Sequence, residues 1–153
     1  MARARWLTKD EEAAWRTLAT LTVELPWALE CQLQRDAGLS FLEYHVLAFL
    51  SEVPSHTRRM SELAAVANSS LSRLSHLVKR LEGRGFVRRE PDPIDGRFTN
   101  AILTDTGYAH LVANAPAHVK AVRELVVDPL TRNELRALQD IAARILERIE
   151  ASK

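Results

Sequence analysis

The segment from Leu71 to Leu81 carries apolar residues at helical spacing, so that they form one stripe along a predicted helix. The stripe consists of Leu71, Leu74, Leu77, Val78 and Leu81. The opposite face is polar and cationic and consists of Ser72, Arg73, Ser75, His76, Lys79 and Arg80. Ser69 or Ser70, just before the helix, can cap its first free N–H groups. An ordinary amphipathic surface helix has the same pattern, so the helix alone does not identify a function.

A basic hairpin is predicted directly after this helix. Gly83 and Gly85 mark the helix end, because glycine readily adopts the left-handed backbone of a C-terminal cap. Residues 86–89 and 98–103 have strand character, and the sequence PDPIDG between them is typical of a turn. Arginine pairs with guanine edges and lysine neutralises phosphates. A cationic helix followed by a basic hairpin therefore indicates contact with DNA.

Three further helix starts share one signature, a Ser or Thr cap followed three residues later by Glu. The pairs are Thr8 with Glu11, Ser40 with Glu43, and Thr131 with Glu134. The first predicted helix runs to Gly38 with a bend at Pro26, because proline removes an interior hydrogen bond. The second runs from Leu42 to about Glu52. These starts divide the chain into helices on both sides of the basic segment.

The region between the second helix and the cationic helix predicts a helix-turn-helix. A short linker leads to a helix that is capped by Ser61 and ends near Ala67, a few residues before the cationic helix. After the hairpin, a helix is expected to begin at Thr104 or Thr106, to be interrupted or kinked near Pro116, and to end at Asp128.

The last predicted helix repeats apolar residues close to a heptad pattern. These residues are Leu135, Leu138, Ala142, Ile145 and Ile149. A domain of this size offers this seam no obvious partner, so we interpret it as a surface between subunits.

The chain has 153 residues and a nearly neutral composition, with 21 Lys and Arg against 20 Asp and Glu. Residues 56–100 contain nine basic and five acidic side chains, whereas the remainder contains twelve basic and fifteen acidic ones. A basic central module within an acidic body is the charge distribution expected of a nucleic-acid-binding protein. The length predicts one domain, and the absence of a long apolar run predicts a soluble, cytoplasmic protein without a membrane partner.

Four short motifs in and after the basic segment resemble those of MarR-type transcriptional regulators, and the resemblance covers nearly the whole chain. They are Leu81-Glu82-x-x-Gly85, Arg88-Arg89, Asp95-x-Arg97 and Leu103-Thr104-x-x-Gly107. The resemblance implies a mainly α fold with a small antiparallel β wing. It places a winged helix-turn-helix lobe at about residues 40–104, and a helical dimerisation region at about 8–37 and 105–153, within a single domain spanning 1–153.

The resemblance also implies a homodimer on a palindromic DNA operator, with recognition helices in successive major grooves and wings in flanking minor grooves. Such regulators are typically repressors released by small phenolic or other aromatic compounds. Arg97 becomes the wing-tip arginine, oriented by Asp95, and Arg80 extends the basic face. The implied groove or phosphate contacts are Ser70, Ser72, Arg73, Ser75, His76 and Lys79. His76 is a departure, because relatives often carry arginine there.

An effector pocket is implied between the dimer helices and the DNA lobe. Its candidate residues are Trp15, Tyr44, His45 and His118, because an aromatic acid needs ring stacking and a polar anchor. Simple packing in the core or interface accounts for the same rings equally well.

A thiol-based redox-sensing repressor is the alternative function, and it depends on Cys31, the single cysteine. Reactive thiols lie near cations or helix N-termini, whereas Cys31 falls late in a helix beside Glu30. We therefore expect Cys31 to be a buried structural residue. The five histidines show no zinc spacing and no catalytic nucleophile with a base is evident, so we predict no metal, no cofactor and no enzymatic activity.

Overall fold

A computed structural model describes residues 5–153 of the chain. Over these residues it contains six α-helices, three strands and one π-helical turn. The elements are α1 (Lys9–Ala37), α2 (Phe41–Ser51), β1 (Thr57–Arg59), α3 (Met60–Val66), α4 (Leu71–Gly83), β2 (Val87–Pro91), β3 (Thr99–Leu103), α5 (Asp105–Val122), the π-helical turn (Arg123–Val127) and α6 (Arg132–Glu150). The three strands form an antiparallel sheet in the order β1-β3-β2. The predicted fold class, mainly α with a small β wing, is confirmed.

The chain forms two compact units, one that ends at His118 and one that begins at Val119. The first unit contains the core, in which the largest fully buried side chains come from α1, α2, α3 and α4 and from Leu39, which lies between α1 and α2. Four of the five predicted stripe residues of α4 are buried there, namely Leu74, Leu77, Val78 and Leu81. Leu71 is the exception. It is the first residue of the helix, and 54% of it is exposed.

The three predicted pairs of a Ser or Thr cap with a glutamate are confirmed. All three Ser or Thr side chains accept a hydrogen bond from the backbone N–H of the glutamate three positions later, and each glutamate carboxylate accepts one from the backbone N–H of its cap residue. In α4 the cap is Ser70, whose Oγ accepts a hydrogen bond from the Arg73 N–H at 3.2 Å. The four caps fix where α1, α2, α4 and α6 begin.

The region before α4 differs from the prediction in two respects. Residues 57–59, expected to be part of a linker, form β1 and pair with β3. The helix expected to be capped by Ser61 begins at Met60, and its cap position, Arg59, makes no side-chain hydrogen bond to the helix. A polar strand of three residues is too short to show an alternating pattern in the sequence. It depends on pairing with β3, which lies more than 40 residues further along the chain.

Neither proline interrupts its helix. α1 continues through Pro26, where a bend was predicted, and α5 continues through Pro116 to Val122, so of the two alternatives predicted near Pro116 an interruption is wrong. The irregular segment comes later, as the π-helical turn at Arg123–Val127.

None of the helices described in residues 5–153 is long and apolar enough to cross a lipid bilayer.

The start of α5 lies against the end of α4 at an unusually close approach. A Cβ atom built on Gly107 would lie 2.1 Å from the Phe86 carbonyl oxygen, so no side chain fits there. Thr104 Oγ1 accepts a hydrogen bond from the Gly107 N–H at 3.0 Å and donates one to the Gly85 carbonyl at 2.6 Å. Gly85 has a φ of 75°, which glycine adopts without strain. These contacts explain the Leu103-Thr104-x-x-Gly107 motif.

A second joint, which we call the carboxyl-end stack, connects the end of α1 with α4 and α5. The Arg84 guanidinium lies 4.6 Å from the Phe86 ring centroid, and the His110 ring stacks on Phe86 at 4.5 Å. Arg84 Nη1 donates to the Gly38 carbonyl at 2.6 Å, and His110 Nε2 lies 2.9 Å from the Ala37 carbonyl. Two side chains thus satisfy carbonyl groups at the end of α1, which would otherwise lack partners.

Candidate nucleic-acid interface

The outer face of α4 presents cations to solvent. Ser72, Arg73, His76 and Lys79 are all exposed, because the stripe of buried leucines fixes which side of the helix faces outward. Across residues 5–153, neither Arg73 nor Lys79 has an ion-pair partner. Unpaired cations on one helix face are available to phosphates or base edges.

Three other predicted contact residues of α4 already have partners within the chain. Arg80 Nε lies 3.1 Å from Glu43 Oε1 on α2. Ser75 Oγ accepts a hydrogen bond from Arg89 Nη1 at 3.1 Å, and Ser70 caps the helix. The predicted contact residues therefore fall into two groups. Some are exposed and have no such partner, and the others also hold α4 in place.

The Arg89–Glu82 pair connects β2 to α4, and sequence reasoning missed it. Arg89 Nη2 lies 2.7 Å from Glu82 Oε2, and the Arg89 backbone N–H donates to Glu82 Oε1 at 3.0 Å. Both side chains are largely shielded from solvent. A carboxylate that accepts bonds from a guanidinium and from the backbone of the same residue fixes position and orientation together. Nothing in the sequence distinguished Arg89 from the neighbouring Arg88.

The wing, formed by β2, β3 and their connection, has an ordered tip at Asp92–Arg97. The Asp92 carboxylate accepts hydrogen bonds from the Ile94 N–H at 2.9 Å and from the Asp95 N–H at 3.1 Å. These backbone donors, followed by the Arg59 guanidinium, hold the pKa of Asp92 below its ordinary value. Asp92 therefore stays ionised at neutral pH and orders the tip.

Arg59 holds the tip from β1, another contact that the sequence did not reveal. Its Nε lies 3.1 Å from Asp92 Oδ2, and its guanidinium lies 4.4 Å from the Phe98 ring centroid. The Asp92 N–H also donates to the Phe98 carbonyl at 2.9 Å. The hydrogen bond between Asp92 and Phe98 thus joins the two strands at the base of the tip, and Arg59, the last residue of β1, contacts both side chains.

Arg97 and Asp95 form the pair predicted at the wing tip. Arg97 Nη2 lies 2.7 Å from Asp95 Oδ2, while the Arg97 side chain remains 85% exposed. Hydrogen bonds from the Arg97 side chain and backbone lower the pKa of Asp95, and the carboxylate in turn raises the pKa of Arg97. The cation is thus oriented at the surface without being buried.

A groove lies between α4 and the wing. Its volume is about 250 Å³, and the residues that line it include Arg59, Leu71, Ser75, Arg89, Arg97 and Phe98. The three arginines in this lining are each paired with a carboxylate, Asp92, Glu82 or Asp95, and the exposed Leu71 adds an apolar patch. It brings together the ends of the two elements that the sequence predicted to contact DNA.

Three of the four predicted effector residues form one aromatic cluster. The ring centroids of Tyr44 and His118 are 4.5 Å apart, and those of His45 and His118 are 6.2 Å apart. Tyr44 and His118 are buried. Trp15 is 58% exposed and precedes Gln32, which contacts His118, by 17 residues of α1, or about 25 Å along the helix. Trp15 therefore does not belong to this cluster within one chain.

His118 is held as a neutral imidazole. Its Nδ1 lies 2.9 Å from Gln32 Oε1, while the Gln32 amide donates to Asp36 Oδ2 at 2.9 Å. Burial, and then the charge of His45, lowers the pKa of His118. A neutral ring that donates through Nδ1 has an acceptor lone pair on Nε2.

Cys31 is exposed, so the expectation that it is buried is wrong. It lies on α1 next to Gln32, whose side chain turns inward to His118. Adjacent residues on a helix point about 100° apart, and Cys31 therefore falls on the solvent side.

Comparison with known proteins shows to which family the similar proteins belong. The model of the MarR family matches residues 37–97. The crystal structure of Sco3205, a MarR family transcriptional regulator from Streptomyces coelicolor, in complex with DNA, has 46% sequence identity and a TM-score of 0.91. This match covers 95% of this chain and 91% of Sco3205.

Two further relatives extend the comparison. AbsC, a MarR family transcriptional regulator from Streptomyces coelicolor, is 38% identical with a TM-score of 0.92, and the match covers 97% of this chain and 99% of AbsC. The transcriptional repressor MprA of Escherichia coli is 25% identical over 113 residues, or 74% of this chain. The matched region spans 64% of the length of MprA.

Proposed function

We propose that this chain, which belongs to the MarR family of DNA-binding transcriptional regulators, is a homodimeric repressor that a small aromatic ligand releases from a palindromic operator. The observation that carries DNA binding is the outer face of α4, where Arg73 and Lys79 are exposed without ion-pair partners, next to a wing that presents Arg97. The relatives described above are regulators, and we infer that this chain acts by binding rather than by catalysis.

The roles of the site residues follow from their surroundings. Arg73, His76 and Lys79, with Ser72, have the exposure needed to enter a major groove. Arg97 would enter the adjacent minor groove, with Asp95 orienting it. Ser70, Ser75 and Arg80 would contact phosphates while they cap or hold α4. Sco3205 was crystallised with DNA, which supports the same use of a closely similar fold.

Selection of bound fragments from random duplex DNA tests the proposal. A dimer with two recognition helices should enrich an inverted repeat whose half-sites lie about one helical turn apart, or a multiple of it. Enrichment of one unpaired half-site would contradict the dimer. Recovery of no DNA sequence above background would contradict DNA recognition itself.

The dimer is proposed from α6, which has no buried residue along its described length. Leu138, Ile145 and Ile149 are exposed along one side of α6. The first half of α1 also exposes large apolar side chains. A two-fold axis would cover both surfaces with the same surfaces of a second chain.

Ile145→Glu is expected to convert the dimer to a monomer, because it places a charge in the apolar seam of α6. Weakening of dimerisation by at least about a hundredfold is expected, since a charge buried without a partner costs several kcal/mol. Sedimentation velocity over a range of protein concentrations measures this. The control Ala143→Glu adds the same charge on the side of α6 away from the seam and should leave the dimer intact. An Ile145→Glu variant that still sediments as a dimer would remove α6 from the proposed interface.

The effector is proposed to bind beside His118. A ring that donates to Gln32 through Nδ1 offers Nε2 as an acceptor, and a phenolic hydroxyl is a donor. Tyr44 and His45 supply aromatic surface next to it. The proposed ligand is therefore a small aromatic compound with a hydroxyl group.

4-Hydroxybenzoate and benzoate form a matched pair of probes for this site, since they differ by a hydroxyl that cannot reach its own carboxylate. 4-Hydroxybenzoate is expected to release operator DNA at a concentration about tenfold lower than benzoate, the ratio expected for one hydrogen bond in a shielded site. His118→Asn, which keeps a donor near Gln32, should abolish that difference. Fluorescence anisotropy of labelled operator measures the release. If millimolar 4-hydroxybenzoate leaves DNA binding unchanged, the cluster serves only for packing.

A further inference from the structure

Ile94 is the most exposed large hydrophobic residue in the described part of the chain, at 92%. It lies in the wing tip, three residues before Arg97, and Pro93 precedes it. Single exposed hydrophobic residues are common on protein surfaces, so exposure alone assigns no role. The way in which the chain holds Ile94 is more informative.

The backbone that carries Ile94 is fixed in place before any partner binds. Its N–H donates to the Asp92 carboxylate at 2.9 Å, and the same carboxylate accepts the Asp95 N–H. Arg59 holds that carboxylate from β1. The Phe98 N–H donates to the Asp95 carbonyl at 3.0 Å and closes the turn. An apolar side chain on a preorganised loop loses little backbone entropy when it enters a binding site.

The chemistry next to Ile94 matches one kind of partner. Arg97 is a fully ionised, exposed cation whose direction Asp95 sets. The DNA minor groove attracts cations by its negative potential, and proteins that bind it often insert an apolar side chain, such as isoleucine, between base steps. A cation and an apolar tip presented together therefore fit the minor groove better than they fit an acidic protein surface.

We propose that Ile94 is an apolar wedge that enters the minor groove beside Arg97 and selects a deformable base step in the flank of the operator. The proposal rests on the DNA binding proposed above and adds a specificity determinant to it. Pyrimidine–purine steps unstack most easily, so they are the preferred steps. Three residues span at most about 11 Å, and base pairs rise by 3.4 Å, so the step lies within about three base pairs of the Arg97 contact.

Ile94→Ser tests the wedge and is not expected to disturb the fold, because the side chain packs on almost nothing. Affinity for the selected operator is expected to fall about tenfold, as for loss of a largely buried isoleucine contact. The slope of log K against log salt should not change, because no cation is lost. Ile94→Leu, which keeps an apolar tip, should bind within about twofold of the wild type.

A 2-aminopurine placed at the flanking step gives a direct reading of unstacking. Its fluorescence should rise when the wild type or Ile94→Leu binds, and should stay at the free-DNA level with Ile94→Ser at saturation. Ile94→Ser that binds as tightly as wild type, with the same flank preference and fluorescence rise, would overturn the wedge alone. If the wild type selects no DNA, the proposed function fails and the wedge fails with it.

Discussion

Arg73→Ala is expected to weaken binding to the preferred operator by on the order of 1–3 kcal/mol, with a smaller effect on unrelated DNA. Arg73 is exposed near the start of α4, just after the Ser70 cap, at the end of the helix that we propose enters the major groove. Loss of a base contact also relaxes the preference at one base pair. Repeating the DNA selection with the variant measures that preference directly.

Arg97→Ala is the matched comparison and should behave differently. The minor groove distinguishes base pairs poorly, so loss of Arg97 should weaken binding more evenly across sequences. The slope of log K against log salt should fall by about one, because one cation is removed. Asp95→Ala should weaken binding less than Arg97→Ala and should not lower the salt slope, since Asp95 only orients the guanidinium and the cation remains. Uniform weakening by Arg73→Ala, together with an unchanged salt slope for Arg97→Ala, would contradict both roles.

Gly107→Ala is expected to destabilise the protein by about 3 kcal/mol, the upper end of the usual cost of overpacking. The added Cβ would meet the Phe86 carbonyl oxygen at 2.1 Å, and backbone cannot yield as a flexible side chain can. For a chain of this length the melting temperature should fall by about 6–12 °C. Thermal unfolding followed by circular dichroism measures the change.

Gly83→Ala is the control for Gly107→Ala. Gly83 ends α4, has nothing within 4 Å of a built Cβ, and is not among the glycines with positive φ. Alanine there should leave the melting temperature unchanged or raise it slightly, because alanine favours helix. Equal melting temperatures for the two variants would show that α5 can move away from Phe86.

The features that the sequence predicted correctly are mainly local ones. The buried stripe of α4 and the caps depend on residues three or four positions apart, and these interactions form within one helix. The turn that follows α4 is similar, because the positive φ at Gly85 is a property of that residue alone. The family motifs also predicted the pair at the wing tip, where Asp95 and Arg97 are only two positions apart in sequence.

The features that the sequence did not reveal depend on distant residues. Arg59 meets Asp92 across 33 residues, and Arg80 meets Glu43 across 37. β1 exists only through its pairing with β3, and its three residues show no alternation of burial. The exposure of Cys31 likewise depends on which side of α1 packs against the core. The spacing of apolar residues in α1 did not reveal which side faces the core, because buried residues occur only in the second half of this helix.

The carboxyl-end stack has a consequence for the angle at which α4 meets DNA. Arg84 is the C-cap of α4 and donates a hydrogen bond to the end of α1. Its guanidinium lies over the ring of Phe86, which stacks in turn on His110 of α5. α4 extends about 20 Å from that point, so a rotation of about 10° at the joint moves its far end by about 3.4 Å, the rise of one base pair. A rotation of this size, transmitted from α1 to α4 through the joint, would therefore be enough to shift Arg73 by about one base pair.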